Sequence, residues 1–179
     1  MTALNTIAPG ASEDDASGLD EWERLARRAA SDKNEAQEPE LWRELLTFEL
    51  AGSPYAIPVD RVREIIRVRE VTPMPRVPDC VIGVVALRGE IVQVVDMRMR
   101  LELSAGEPTP RSRIIVLHGD DNRVTGIQVD AVQEVLRAAE GEITAGIGQF
   151  NGAVVELCKR GNEFVSIVDL DHMLDLDEY

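Results

Sequence analysis

The chain has 179 residues and a formal net charge of -14, and 44% of its residues are apolar although only 4% are aromatic. So negative a charge argues against nucleic acid or an anionic membrane surface as the main partner, because binding phosphate requires clustered lysine and arginine. The two cysteines, Cys80 and Cys158, stand far apart without metal-ligand spacing. They predict reduced thiols in a cytosolic protein and argue against a disulfide framework.

The first 40 residues differ in composition from the rest, with 10 acidic against 4 basic residues and no β-patterned run. Such a segment cannot bury enough apolar surface to order itself, so we expect 1–40 to be a mostly disordered tail. Leu19, Trp22 and Leu25 fall at helical spacing and predict a short helix over 19–30. That helix either packs on its own domain or frays, which the residues favour, or it docks on a partner.

From residue 41 onward, short runs rich in Val and Ile are broken by Gly and Pro about every 8–12 residues, a pattern typical of small β-barrels. The predicted strands are Leu45–Leu50, Tyr55–Pro58, Ile65–Val68, Val81–Leu87, Ile91–Asp96, Arg113–Leu117, Val124–Val129, Glu134–Arg137, Ala153–Leu157 and Phe164–Asp169. Helix is scarce: Asp60 is predicted to cap a turn over Arg61–Glu64, and Leu170–Leu176 to form an amphipathic turn or two. No stretch approaches the roughly 20 apolar residues of a membrane span, and no targeting signal is visible, so we expect no direct membrane insertion.

The chain also contains an internal repeat. Residues Ile57–Arg67 match Ile127–Arg137 at a constant offset of 70 positions. A second match joins Gly83–Met97 to Gly152–Leu170, with a longer turn in the second copy.

This duplication predicts two related β-rich halves, roughly 41–108 and 109–179. Each half is too small to be comfortable alone, so we expect the two to share a core as small barrels packed face to face.

Candidates for catalysis or metal binding are weak. His118 precedes a turn glycine, and Cys158 has no evident histidine partner. A metal site would need four residues whose spacing matches no established ligand pattern, and which read better as a solvated acidic helix end: Asp169, Asp171, His172 and Asp175. No phosphate-binding glycine loop is present either, so we expect no enzyme, no metal and no cofactor.

Several motifs resemble, in order, those of the CheW-like family. They are Phe48-x-Leu50-x-Gly52-x-x-Tyr55, Val62-x-Glu64-Ile65-Ile66, Pro75-x-x-Pro78, Leu87-Arg88-Gly89-x-Ile91, Val94-Val95-Asp96-x-Arg98, Gly126-Ile127-x-Val129-Asp130 and Val168-Asp169-Leu170. The resemblance covers 41–176. It implies a CheW-like domain over 41–179 with an all-β fold: two small SH3-like five-stranded β-barrel subdomains packed around a shared core, with few short helices.

The resemblance also implies a role. Members of this family are non-enzymatic signalling adaptors that couple the cytoplasmic tips of chemoreceptors (methyl-accepting chemotaxis proteins) to the regulatory domain of the histidine kinase CheA. Other CheW-like domains are a further class of partner, in cytoplasmic arrays recruited to membrane-associated receptors. An alternative within the same fold is an adaptor of a non-flagellar chemosensory pathway that controls surface motility, development or gene regulation.

The receptor contact that the resemblance implies involves Arg88 in the Leu-Arg-Gly turn, Glu64 and Val62. An arginine at a tight turn projects a planar donor suited to a carboxylate or to helix carbonyls. The residues by themselves favour a plain surface ion pair between Arg88 and Glu64, whereas the resemblance favours an interface. It assigns no residues to the kinase contact.

Overall fold

A computed structural model describes residues 41–118, 124–146 and 152–175. The predicted acidic tail and its helix over 19–30 lie outside the described residues. The regular secondary structure of the described part is mainly β-strand. Its strands are β1 Trp42–Leu50, β2 Ser53–Pro58, β3 Val62–Arg67, β4 Val81–Leu87, β5 Glu90–Asp96, β6 Arg113–Leu117, β7 Val124–Val129, β8 Ala131–Ala139, β9 Ile143–Ala145, β10 Val154–Arg160 and β11 Glu163–Val168.

Two short helices follow equivalent strands, α1 over Met97–Arg100 and α2 over Leu170–Leu174. Each begins after an aspartate whose carboxylate accepts hydrogen bonds from two backbone N–H groups of the first turn, Asp96 for α1 and Asp169 for α2. The sequence predicted α2 but not α1. The predicted turn over Arg61–Glu64 was wrong, because a 3-10 turn occupies Val59–Arg61 without a side-chain cap and β3 starts at Val62.

The strands form two sheets. The first has the order β8-β1-β2-β11-β10-β9 and the second β3-β6-β7-β5-β4. Thus β1 and β2 pair with strands that follow them by more than 70 residues, while β3 to β5 join β6 and β7. The predicted halves meet between β5 and β6, and each sheet takes strands from both halves.

Strand registers repeat between the two sheets. In the five-stranded sheet Ile115 faces Ile65 on one side and Ile127 on the other. In the six-stranded sheet Leu46 lies in the same way between Val135 and Ile57, so the 70-residue repeat is a repeat of structure.

The second sequence match needs a correction. In the β4–β5 hairpin Val81 faces Val95, and in the β10–β11 hairpin Val154 faces Val168, and the same register shift follows in both. Equivalent residues of the two hairpins therefore differ by 73 positions, and the predicted match of Gly83 with Gly152 is wrong. The two glycines serve different purposes: a Cβ at Gly83 would lie 2.2 Å from the carbonyl oxygen of Thr72, whereas Gly152 precedes a strand at a φ of +86°.

The sixth strand of the first sheet is β9, which the sequence did not predict. Its Thr144 faces Leu157 of β10. The counterpart in the other sheet is a single bridge between Thr72 and Val84. Pro73 follows Thr72 and has no N–H to donate, which explains why this bridge is not extended into a strand.

Three apolar clusters lie among the residues that the structure describes. The largest draws on both sheets and both helices, with Phe48 and Ile57 beside Ile127, Met97 and Leu170. Smaller clusters lie within each sheet: Leu45, Ala56, Ala138, Cys158, Val165 and Ile167 in the six-stranded one, and Val85, Leu87, Val92, Val94, Ile114 and Val116 in the five-stranded one. The shared core expected of the two halves is the first cluster.

Candidate functional site

Glu64 and Arg88, two of the three predicted site residues, form an ion pair. Nη2 of Arg88 lies 3.0 Å from Oε2 of Glu64. The Arg88 side chain is 73% exposed and that of Glu64 only 19%, so the carboxylate is sheltered and the guanidinium faces solvent. The pair predicted from residue types is present, and it leaves most of the arginine accessible.

The position of Arg88 follows from the hairpin that carries it. Leu87 faces Glu90, which leaves Arg88 and Gly89 as a two-residue turn. Both have positive φ, +51° and +86°, as a type I′ turn requires. Glycine accepts this conformation without strain, whereas arginine does so at a cost.

The position of Glu64 follows from a β-bulge in β3. Val62 faces Leu117 and Ile65 faces Ile115, so three steps along β3 match two along β6. A bulge of this kind bends the strand and redirects side chains. Here the bulge lies between Val62 and Glu64, and the side chain of Glu64 reaches Arg88 at the hairpin tip.

A second ion pair ties the same two segments. Nη2 of Arg63 lies 2.5 Å from Oε2 of Glu90. We call the two ion pairs, Glu64–Arg88 and Arg63–Glu90, the β3 latch. Because β3 and β4 are the two edges of the five-stranded sheet, the latch joins one edge strand to the hairpin that begins at the other.

Val62, the third predicted residue, has a different environment. It is half-buried and packs against the shared core together with Val59. It lies on the same strand as Glu64, two residues before it.

Two exposed aliphatic side chains near the latch were not assigned by sequence reasoning. Ile65 and Ile91 are 41% and 73% exposed. Simple alternation was a usable signal, because Ile66 on the same strand packs inward and its neighbour therefore points out. Ile65 follows Glu64 on β3 and Ile91 follows Glu90 on β5, so exposed apolar side chains and an exposed guanidinium occur on the same segments. This composition is suited to the apolar face of a helix that carries an acidic residue.

The junction between the two halves is held by charged side chains. Arg98 of α1 donates to both carboxylate oxygens of Asp130, at 2.7 Å from Nε and 2.6 Å from Nη2. Oδ2 of Asp130 also accepts the backbone N–H of Ala51 at 2.7 Å. Hydrogen bonding to Asp130 raises the pKa of Arg98, because the contact favours the charged guanidinium.

Asp169 and Asp171, two of the four residues of the candidate metal site, have structural partners. The carboxylate of Asp169 caps α2, and Oδ1 of Asp171 accepts Nη2 of Arg61 at 2.8 Å, which lowers the pKa of Asp171. Within the described ranges, no group of three or more His, Cys, Asp or Glu side chains is placed to hold a metal ion. Burial raises the pKa of both thiols, Cys80 and Cys158, which disfavours their thiolate forms. In the same part of the chain, no helix has the length and apolarity needed to cross a membrane.

The chain is similar in sequence to proteins named as chemotaxis proteins. It is 40% identical over 101 residues to the chemotaxis protein CheW of Rhizobium meliloti (strain 1021), a match that covers 56% of this chain and spans only 64% of that protein. It is 33% identical over 135 residues to the chemotaxis protein CheW of Bacillus subtilis (strain 168), covering 73% of this chain and 86% of that protein.

The fold is similar to that of a solved structure, the crystal structure of scaffolding protein TtCheW from Thermoanaerobacter tengcongensis. The TM-score is 0.71 at 24% identity, and the match covers 78% of this chain and 97% of that one. This likeness agrees with the predicted two-subdomain, all-β architecture. The model of the CheW-like domain matches residues 44–178, three quarters of the chain and both of its sheets. The chain therefore belongs to the CheW-like family.

Proposed function

We propose that this protein is a cytoplasmic, non-enzymatic scaffold that couples chemoreceptor tips to the regulatory domain of a CheA-type histidine kinase. Membership of a family whose relatives are named as chemotaxis and scaffolding proteins supports this role. The single observation that carries it is the arrangement at the β3 latch: an exposed guanidinium held over a sheltered carboxylate, with exposed Ile65 and Ile91 on the strands that the latch joins.

The latch can bind a receptor helix in a simple way. Arg88 keeps most of its donors in solvent while Glu64 restrains its position, so less side-chain freedom is lost on binding. Ile91 and Ile65 offer apolar surface to the helix. In this proposal Val62 supports the surface from below by packing on the shared core.

The test compares two charge reversals. Arg88→Glu is expected to weaken binding of a receptor-tip fragment at least roughly thirtyfold, the loss of about 2 kcal/mol that is typical of an interface hot spot. Arg111→Glu is the matched control, because Arg111 is 71% exposed and pairs with a partly buried carboxylate, that of Glu49, as Arg88 pairs with Glu64. The control should bind within about twofold of the wild type.

Surface plasmon resonance with the tip fragment and with the kinase regulatory domain gives the readout. We expect Arg88→Glu to retain kinase binding, since that contact is not assigned to the latch. Equal losses in both charge reversals would refute the role of the latch. Failure of the wild-type protein to bind either partner would refute the scaffold function.

A further inference from the structure

The six-stranded sheet contains a counterpart of the β3 latch in which one of the two ion pairs is present and the other has lost its arginine. Glu134 stands 70 positions after Glu64 and forms an ion pair with Arg160. Arg160 lies at the tip of the β10–β11 hairpin, one position before the turn, whereas Arg88 lies within its own turn. In both sheets, therefore, a glutamate on an edge strand, β3 or β8, forms an ion pair with an arginine at the tip of a hairpin.

The bulge that presents the glutamate recurs as well. Val132 faces Phe48 and Val135 faces Leu46, so three steps along β8 match two along β1. The backbone of Glu134 within this bulge is held by Thr47, whose buried hydroxyl bonds both its N–H and its carbonyl oxygen. Bulges are common beside functional surfaces, where they redirect a side chain.

The exposed apolar residues are duplicated too. Val135 is 55% exposed and stands 70 positions after Ile65. Phe164 is 57% exposed and stands 73 positions after Ile91, the offset of the two hairpins. An exposed phenylalanine contributes little to folding, since it gains stability only where it is buried.

The second ion pair of the latch is where the copies differ. Arg63 corresponds to Gln133, and Glu90 corresponds to Glu163. The second copy therefore retains the carboxylate, as Glu163, but has the neutral amide of Gln133 instead of an arginine. Instead of the Arg63–Glu90 contact, the six-stranded sheet has a cavity of about 400 Å³, which we call the β8 recess, lined among others by Glu49, Gln133, Arg160, Asn162, Glu163 and Phe164.

The charges around the β8 recess indicate what fits it. Arg160 pairs with Glu134, and the Glu49 carboxylate pairs with Arg111, so the nearby arginines already have carboxylate partners. Glu163 stands where the equivalent residue in the other sheet binds an arginine. A guanidinium supplied from outside would complete the latch, with Gln133 and Asn162 as further hydrogen-bonding groups and Phe164 as the apolar contact.

We propose that the β8 recess is a docking site for a partner protein segment that presents an arginine beside an apolar side chain. The partner's guanidinium takes the place that Arg63 occupies in the β3 latch and binds Glu163. Its apolar side chain packs on Phe164 and Val135. This site is separate from the receptor contact proposed above and does not depend on it.

The test uses the full chain and two probe peptides. One is an acetylated and amidated Leu-Arg-Leu tripeptide, and the other is its charge-reversed twin with glutamate in the central position. In 15N-labelled protein, the arginine peptide is expected to shift the amide signals of Gln133, Asn162 and Phe164. The glutamate peptide should produce less than a tenth of that effect.

Three variants sharpen the result. Gln133→Arg rebuilds the second ion pair within the chain and should weaken the arginine peptide at least tenfold, with a melting temperature equal to or above that of the wild type. Phe164→Ser should weaken it by a similar factor. Val155→Ser is the control, because Val155 is 40% exposed on the same sheet but does not line the β8 recess.

Several results would overturn the proposal. They are equal shifts with both peptides, full binding by Gln133→Arg, or shifts confined to the β3 latch. Loss of self-association on sedimentation of Gln133→Arg, without any peptide effect, would instead assign the recess to a second copy of the chain. None of these outcomes bears on the receptor binding measured through Arg88.

Discussion

Glu64 on β3 forms an ion pair with Arg88 at the tip of the β4–β5 hairpin, although β3 and β4 are the two opposite edges of the five-stranded sheet. A flat sheet would keep these two strands far apart. The contact therefore requires the sheet to curl toward closure, as barrel subdomains do.

Arg88 has a φ of +51°, which is costly for arginine, so we expect a substitution at this position to affect receptor binding and stability differently. Arg88→Asn puts a residue that tolerates this conformation into the turn, at the loss of one exposed ion pair. We expect the free energy of unfolding in urea to change by less than about 0.5 kcal/mol, because the relieved strain and the lost ion pair offset each other. Receptor binding should fall at least tenfold.

Ala51 provides the control for this variant. It has a φ of +49° and precedes Gly52 in another two-residue turn, that of the β1–β2 hairpin. Ala51→Asn relieves strain without removing an ion pair, so it should stabilise the protein by about 0.5–1 kcal/mol and leave receptor binding unchanged. A loss of more than 1 kcal/mol in Arg88→Asn would show that the ion pair holds the sheet closed.

The contact of Arg98 with Asp130 predicts a large effect on stability. Asp130→Ala removes both hydrogen bonds that the guanidinium makes to the carboxylate and leaves the Ala51 N–H without its acceptor. Both side chains of the ion pair are about three-quarters buried or more. We expect a loss of about 2–3 kcal/mol in chemical denaturation. Asp130→Asn, which keeps one oxygen acceptor, should lose less, and equal losses would contradict this account.

Gly83 predicts a steric effect. A Cβ at this position would lie 2.2 Å from the carbonyl oxygen of Thr72, and φ is +140°. Gly83→Ala must therefore break the bridge between Thr72 and Val84. Gly52→Ala is the control, since nothing lies within 4 Å of its Cβ and only the backbone cost of a positive φ remains. Thermal and urea unfolding should show Gly83→Ala to be less stable than the control by about 1–3 kcal/mol. Equal stabilities would mean that the bridge is dispensable.

Asp171 predicts a dependence on pH. Hydrogen bonding to Arg61 lowers its pKa in the folded state, so the contribution to stability is present above the unfolded-state pKa and is lost as pH falls through the folded-state value. Because the Asp171 side chain is 73% exposed, this contribution is on the order of a few tenths of a kcal/mol. The difference in stability between wild type and Asp171→Asn should be constant from neutral pH to about pH 5 and vanish below the folded-state pKa. A difference that persists in strong acid would rule out the carboxylate as its source.

Local pattern determined much of this protein. The strands β4, β6 and β7 have the predicted bounds, because alternating or continuous Val and Ile between turn residues leaves few other conformations. The duplication was also visible as a 70-residue repeat, in which Glu134 corresponds to Glu64. Residue types alone predicted the Glu64–Arg88 ion pair.

Pairing between distant strands was decided only by the tertiary structure. β1 and β2 lie in one sheet with the strands β8, β9, β10 and β11, and the equivalent hairpins differ by 73 positions. Both features depend on hydrogen bonds between strands, which no local periodicity encodes. The β8 recess has the same origin. The sequence shows a glutamine at position 133 where the other copy has Arg63. Only the folded sheets show that Gln133 and Glu163 line one cavity together with Phe164, whose side chain is exposed.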